Sequence, residues 1–234
     1  MALSPSQRHS QRLKAEQQLK QRQAVETMES LHMQMQILNQ DVAYLRALPT
    51  IADRVAYKRD ELLPRWKPTV DTYLAGGNVY DNPVFAWFVV WTFDAGDLDE
   101  GLRLADIAIA QQQPTPENIK SRFPVFVADT VMAWAEETAV AGESVEPYFS
   151  QVFEKVAQHW RLHEEITAKW FKFAGQMLLR DDNGKPRATA VDDAETLQKA
   201  DALLASAENL YKRVGVTTLR AQIAARIRSL AKEQ

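Results

Sequence analysis

No glycine occurs before Gly76, and no proline lies between Pro5 and Pro49. Nothing in that span interrupts a helix, and Gln, Lys, Arg, Glu, Leu, Ala and Met dominate it, all good helix formers. Ser4-Pro5 reads as the start, with Ser4 as N-cap and Pro5 at the first helical position. Within the span, Ala24, Met28, Leu31, Met35, Leu38, Val42 and Leu45 alternate in steps of four and three. That is a heptad seam, and Met33, Ile37 and Tyr44 widen it. Two packings satisfy the seam. One is an intermolecular coiled coil, which makes Met28, Leu31, Met35, Leu38, Val42 and Leu45 the self-association residues of a homo-oligomer. The other is a fold-back onto the segment 51–63.

Before Ala24 the seam fails. Leu13 and Leu19 are the only large apolar residues from Gln7 to Gln23. Such a segment cannot bury a face by itself. It reads as an arm, disordered or helical only when bound. Its bases Arg8, Arg12, Lys14, Lys20 and Arg22 face a single acid, Glu16, and His9 adds to them. Multiplied by oligomerisation, these side chains suit the phosphates of DNA.

The charge pattern extends this. Eleven acids against three bases lie between Asp94 and Glu146, while from Tyr211 onward Lys212, Arg213, Arg220, Arg226, Arg228 and Lys232 oppose only Glu233. Basic ends flank an acidic middle, an arrangement that places an anionic partner at the ends. The C-terminal bases suit DNA or a partner protein, or balance the dipole of the last helix.

The remainder predicts an all-α chain: a long N-terminal coiled-coil-like helix plus a compact multi-helix C-terminal domain. The divisions read as an arm over 1–23, a helical oligomerisation region over 24–76 and a helical domain over 77–234, with a boundary at Gly76-Gly77. Pro64 and Pro68 are expected to turn the chain. Asn82-Pro83 starts an apolar helix through Phe93. Helices are expected over 97–113, over 117–141 with a bend at Pro124, from Ser144 to Leu179, over 192–213 and over 216–232. The run Val84–Trp91 is far shorter than the ~20 residues that span a bilayer, and no apolar signal segment opens the chain, so no membrane is expected. The chain has no cysteine, which excludes disulfides, thiolate metal sites and a cysteine nucleophile.

Chemistry-bearing motifs are sparse. Asp94, Asp97 and Asp99, with Glu100, crowd one turn. Converging carboxylates serve two-ion nucleases, which need Mg2+ or a similar ion, but acids also gather in turns to cap helices. His159 and His163 are four apart on an expected helix, without an H-E-x-x-H motif, and no metal is assigned to them. Asp181-Asp182-Asn183-Gly184 looks like the front of a calcium loop but lacks its closing glutamate, and reads as a turn. No phosphate-binding G-x-x-x-x-G-K-[ST] loop and no G-x-S-x-G elbow occur. No cofactor is implied.

Several segments share a resemblance. The opening Met1-Ala2-Leu3-Ser4-Pro5-Ser6-Gln7-Arg8-His9 resembles the start of phage terminase small subunits from cohesive-end temperate phages. Lys58-Arg59-Asp60-Glu61-Leu62-Leu63-Pro64 resembles that family's basic-acidic-Leu-Leu-Pro segment. Trp91-Thr92-Phe93-Asp94-Ala95-Gly96-Asp97 looks like its W-x-x-D-A-G-D motif, and Leu102–Ala110, Lys172-Phe173-Ala174-Gly175 and Gly215-Val216 are similar to later landmarks. The resemblance implies viral DNA packaging in the host cytoplasm: binding of the packaging site on double-stranded phage DNA, oligomerisation, and recruitment of the large ATPase/nuclease subunit. It also implies an alternative, a metal-dependent endonuclease, for which Asp94, Asp97 and Asp99 are the candidate carboxylates. A helical adaptor that ignores DNA is the third reading. No helix-turn-helix is evident in the sequence.

Overall fold

The computed structural model describes the backbone of residues 5–181 and 184–233, and within these all side chains except those of 5–12, 15, 19–29 and 233. Among the described residues the chain is helical. The helices are α1 (Pro5–Ala47), α2 (Ile51–Tyr57), α3 (Leu63–Gly76), α4 (Pro83–Asp94), α5 (Leu98–Ala110), α6 (Phe123–Val140), α7 (Tyr148–Glu154), α8 (Glu164–Met177), α9 (Ala194–Leu210) and α10 (Thr217–Glu233). The sole β pairing among the described residues is an isolated bridge between Arg180 and Pro186. No helix is long and apolar enough to cross a membrane among these residues.

The chain divides into two units. The first holds residues 1–97 and 111–116; the second holds 98–110 and 117–234. The expected boundary at Gly76-Gly77 instead marks the end of α3, where Gly77 takes a left-handed φ of 68°. α4 then packs on α3 and belongs to the first unit.

In the first unit, α1 runs unbroken for 43 residues, so the segment read as an arm continues the same helix from Pro5. Ser4 lies outside the described residues. After Pro49, Thr50 caps α2 by accepting the amide of Asp53 at 3.0 Å. The expected turn at Pro64 and Pro68 does not occur. α2 passes into α3 through a π-turn at Lys58–Leu62, where the Leu63 amide reaches Lys58 O. Proline removes an amide and crowds the carbonyl four residues back, and a widened turn ahead of Pro64 accommodates this without ending the helix. α4 is apolar all round because it is central: Val84 through Ala86 and Phe88 through Phe93 are buried. Its N-cap Asn82 accepts the Phe85 amide at 3.1 Å, as Asn82-Pro83 predicts. Residues 111–116 join this unit through Gln113. Its amide donates to Tyr73 Oη and Tyr80 O, both at 2.7 Å, and its carbonyl accepts the Asn82 amide at 2.8 Å.

In the second unit, α6 begins at Phe123 with Pro124 in its first turn, so no bend forms. The expected helix from Ser144 to Leu179 is interrupted. α7 ends in a π-turn at Lys155–His159, Trp160 is extended, and α8 starts after His163. Lys155 Nζ holds Asp106 of α5 at 2.6 Å. Phe149 stacks on Trp170 at 5.0 Å, and Phe153 meets Phe171 edge-on at 5.1 Å. α8 and α9 approach closely around Gly175, and Ala168, Leu197, Ala200, Leu204, Ala207 and Ile223 form a dry core with α10.

Candidate nucleic-acid interface

The residues singled out by the sequence fall into four places. At the N-terminal end, Lys14 is exposed on α1, while the side chains of Arg8, His9, Arg12, Lys20 and Arg22 lie outside the described residues. Ala24 and Met28 of the seam also lie outside them.

The described part of the seam turns inward. Leu31 and Met35 are half-buried, and Leu38, Val42 and Leu45 are buried within the first unit. Asp41 lies on the same side. Its carboxylate accepts Arg65 Nη1 at 2.5 Å and the Trp66 indole at 2.8 Å. The chain therefore covers its own seam from Leu38 onward, through α4 and α2. Met33, Ile37 and Tyr44 stay outside, with 63%, 45% and 55% of their surface exposed.

The acidic turn is a helix stop. Gly96 has φ +85°. The Gly96 amide donates to Phe93 O at 2.9 Å and the Asp97 amide to Thr92 O at 3.2 Å. This six-to-one bond across a left-handed glycine is the Schellman arrangement. Asp94 Oδ2 accepts Lys58 Nζ at 2.6 Å, so one candidate carboxylate is already neutralised. Asp99 and Glu100 occupy the first turn of α5, where the helix dipole favours acids, and Glu100 holds Arg103 at 2.6 Å. Among the described residues no three His, Asp or Glu side chains converge to hold a metal. His159 and His163 do not share a helix face, because the chain leaves the helix at Trp160. Asp181 sits in a tight turn, with the Gly184 amide donating to Asp181 O at 2.8 Å; Asp182 and Asn183 lie outside the described residues.

The cations divide by whether an acid holds them. In the first unit Lys58, Arg59, Arg65 and Lys67 are paired with Asp94, Asp60, Asp41 and Asp71. At the C-terminal end, Arg220 reaches Asp201 at 2.8 Å and Glu208 at 2.6 Å. Its hydrogen bonds to Asp201 and then Glu208 raise its pKa further above the ordinary arginine range. Thr217 and then Arg220 lower that of Glu208. Arg226 binds Asp192 and the carbonyl of Val191. Arg228 and Lys232 are exposed and are held by no acid among the described residues. The sequence could not separate these two classes of base, since the acids that hold Arg220 and Arg226 lie on a different helix or its lead-in.

The model of the phage small terminase subunit family matches residues 35–165 of the chain. The chain belongs to that family. The Haemophilus phage HP1 protein described as a probable terminase, endonuclease subunit is 45% identical over 195 residues, covering 83% of this chain and 69% of that protein. The Escherichia phage P2 terminase, endonuclease subunit is 28% identical over 188 residues, 80% of this chain and 75% of that one. No solved structure gives a significant match. The matched family region contains the inward-turned seam, the Lys58–Asp94 pair and the Asp94–Asp97 helix stop, while α9 and α10 lie beyond it. The Asp94-Ala95-Gly96-Asp97 landmark of this terminase family member thus has a structural role, ending α4 and tying it to the π-turn.

Proposed function

We propose that the chain is the small subunit of a viral DNA-packaging terminase. It binds the packaging site of double-stranded phage DNA, assembles into a homo-oligomer, and brings the DNA to the large ATPase/nuclease subunit in the host cytoplasm. Family membership carries the reading. The bases at the two ends of the sequence support it: exposed Arg228 and Lys232 suit phosphate, whereas Lys58 and Arg59 of the π-turn and Arg65 and Lys67 of α3 are held by acids. The test is a mass measurement in solution, with and without a duplex containing the phage cohesive-end site. A multiple of the chain mass that shifts on adding DNA supports the reading. A monomer indifferent to DNA overturns it.

The description of the phage HP1 and P2 relatives as endonuclease subunits favours a second reading, in which the chain itself cuts cohesive-end DNA with Mg2+ or Mn2+. Asp97, which stands between Asp94 and Asp99 in the same turn, is then the residue to change. Nicking by the purified protein that Asp97→Ala abolishes supports this reading. Nicking that survives the change moves the carboxylates elsewhere.

A further inference from the structure

From Asn209 to Lys232 the chain has no acid and six bases. All of α10 but its last residue, the acid Glu233, lies in this stretch, and the helix spans roughly 25 Å at ~1.5 Å per residue. Its buried edge carries Leu219, Ile223, Ile227 and Leu230, which pack in the core with α9. At 100° per residue, the opposite edge carries Thr217, Thr218, Ala221, Ala225, Arg228 and Lys232, all exposed, with Gln222 exposed on its flank. Arg228 and Lys232 stand one turn apart near the centre of that edge. The acids beside α10 are occupied: Asp201 and Glu208 by Arg220, Asp192 by Arg226, Glu195 by Lys199, and Asp193 by capping α9. These partners draw the neighbouring acids toward Arg220, Arg226, Lys199 and the start of α9 and offset three of their five charges, while the outer edge of α10 itself presents cations, amide, hydroxyl and methyl groups.

We infer that this edge of α10 is a duplex-DNA recognition face, seated in the major groove. The inference rests on the DNA-binding reading above and names the element that executes it. Charge complementarity selects the partner, since an acid-free cationic edge suits a polyanion. The shape suits it too, because a helix about 10–12 Å across fits a groove ≈ 12 Å wide. Ala221 and Ala225 leave room for the helix backbone to approach the base edges. Arg228 and Lys232 take phosphates, and Gln222 offers the paired donor and acceptor that match adenine. Lys212 and Arg213, exposed in the turn before α10, reach the phosphates at its other end.

The test uses the full chain and a fluorescein-labelled 30-base-pair duplex, followed by anisotropy across a salt series. Arg228→Ala/Lys232→Ala should weaken binding at least about tenfold at low salt and reduce the salt slope by about two. Arg228→Lys/Lys232→Arg should retain binding. The melting temperature should not move, since both side chains are exposed and held by no described acid. Unchanged affinity and slope in the alanine double variant overturn the inference and leave the face to an acidic protein partner. If in addition the replacement of Arg8, Arg12, Lys14, Lys20 and Arg22 by Gln abolishes binding, the DNA-binding reading stands on the N-terminal bases and only the role of α10 falls. If the unaltered chain does not bind the duplex, both fall together.

Discussion

Asp41 and Arg65, twenty-four residues apart, meet at 2.5 Å, and the same carboxylate also accepts the neighbouring Trp66 indole at 2.8 Å. One buried acid on α1 thereby fixes two successive residues of α3. The packing of Leu38, Val42 and Leu45 explains why: the seam side of α1 is inside the first unit, and a carboxylate there needs partners. Asp41→Ala strands the buried Trp66 indole, while Arg65, partly exposed and 3.8 Å from Glu61, loses its closer partner. Denaturant unfolding should show a loss of about 2–3 kcal/mol. Asp41→Asn keeps one acceptor and should lose about half as much. An alanine variant as stable as the parent would show that α1 is not held to α3 through this acid.

Gly96 ends α4 at φ +85°, with nothing within 4 Å of where a Cβ would stand. The cost of a side chain is therefore conformational alone. Gly96→Ala should destabilise the chain by about 1 kcal/mol in the same assay, from the left-handed backbone rather than from a clash. Breaking the partly exposed Lys58–Asp94 pair by Asp94→Asn should cost less than this.

The heptads from Ala24 to Leu45 specify an apolar stripe without saying what covers it. A stripe buried by a second copy and one buried by α2 and α4 obey the same spacing. From Leu38 onward the chain's own helices cover it, and Asp41, an acid beside the stripe, finds its partners in α3. The start of α4 was legible, because Asn82-Pro83 acts within three residues. The prolines were not, because a π-turn upstream of Pro64 is a tertiary solution with no local signature. Likewise Asp94, Asp97 and Asp99 suggest a carboxylate cluster in one dimension. The Gly96 dihedral and Lys58, thirty-six residues away from Asp94, explain much of that turn as helix termination. The α10 face was only partly legible: its bases were visible, but not which of them α9 and the segment just before it hold.

Gly175 sits within α8, where alanine ordinarily stabilises a helix by up to about 1 kcal/mol. Here the sign should reverse. A Cβ at Gly175 would stand 2.9 Å from the Leu204 side chain and 3.1 Å from the Ala200 carbonyl. Backbone cannot yield as a flexible side chain can, so α8 and α9 would have to separate. Gly175→Ala should destabilise by about 1–3 kcal/mol, and Gly175→Val should do so more strongly. A more stable alanine variant would mean that the two helices shift apart freely.

Asp129 on α6 offers a pH test. Desolvation raises its pKa above the ordinary carboxylate value, and Lys169 of α8 opposes this only in part. A raised carboxylate pKa means that the folded chain holds the proton more tightly than the unfolded one. Its contribution to stability is then fully present below the unfolded pKa, near 4, and is lost as pH rises through the folded value. Asp129→Asn removes this dependence by keeping the site neutral. Asp129 is exposed to solvent, so thermal melts at pH 7 should place Asp129→Asn only slightly above the parent, and the gap should close as pH falls below about 4. A gap of the opposite sign at pH 7 would mean that attraction to Lys169 outweighs desolvation at this site.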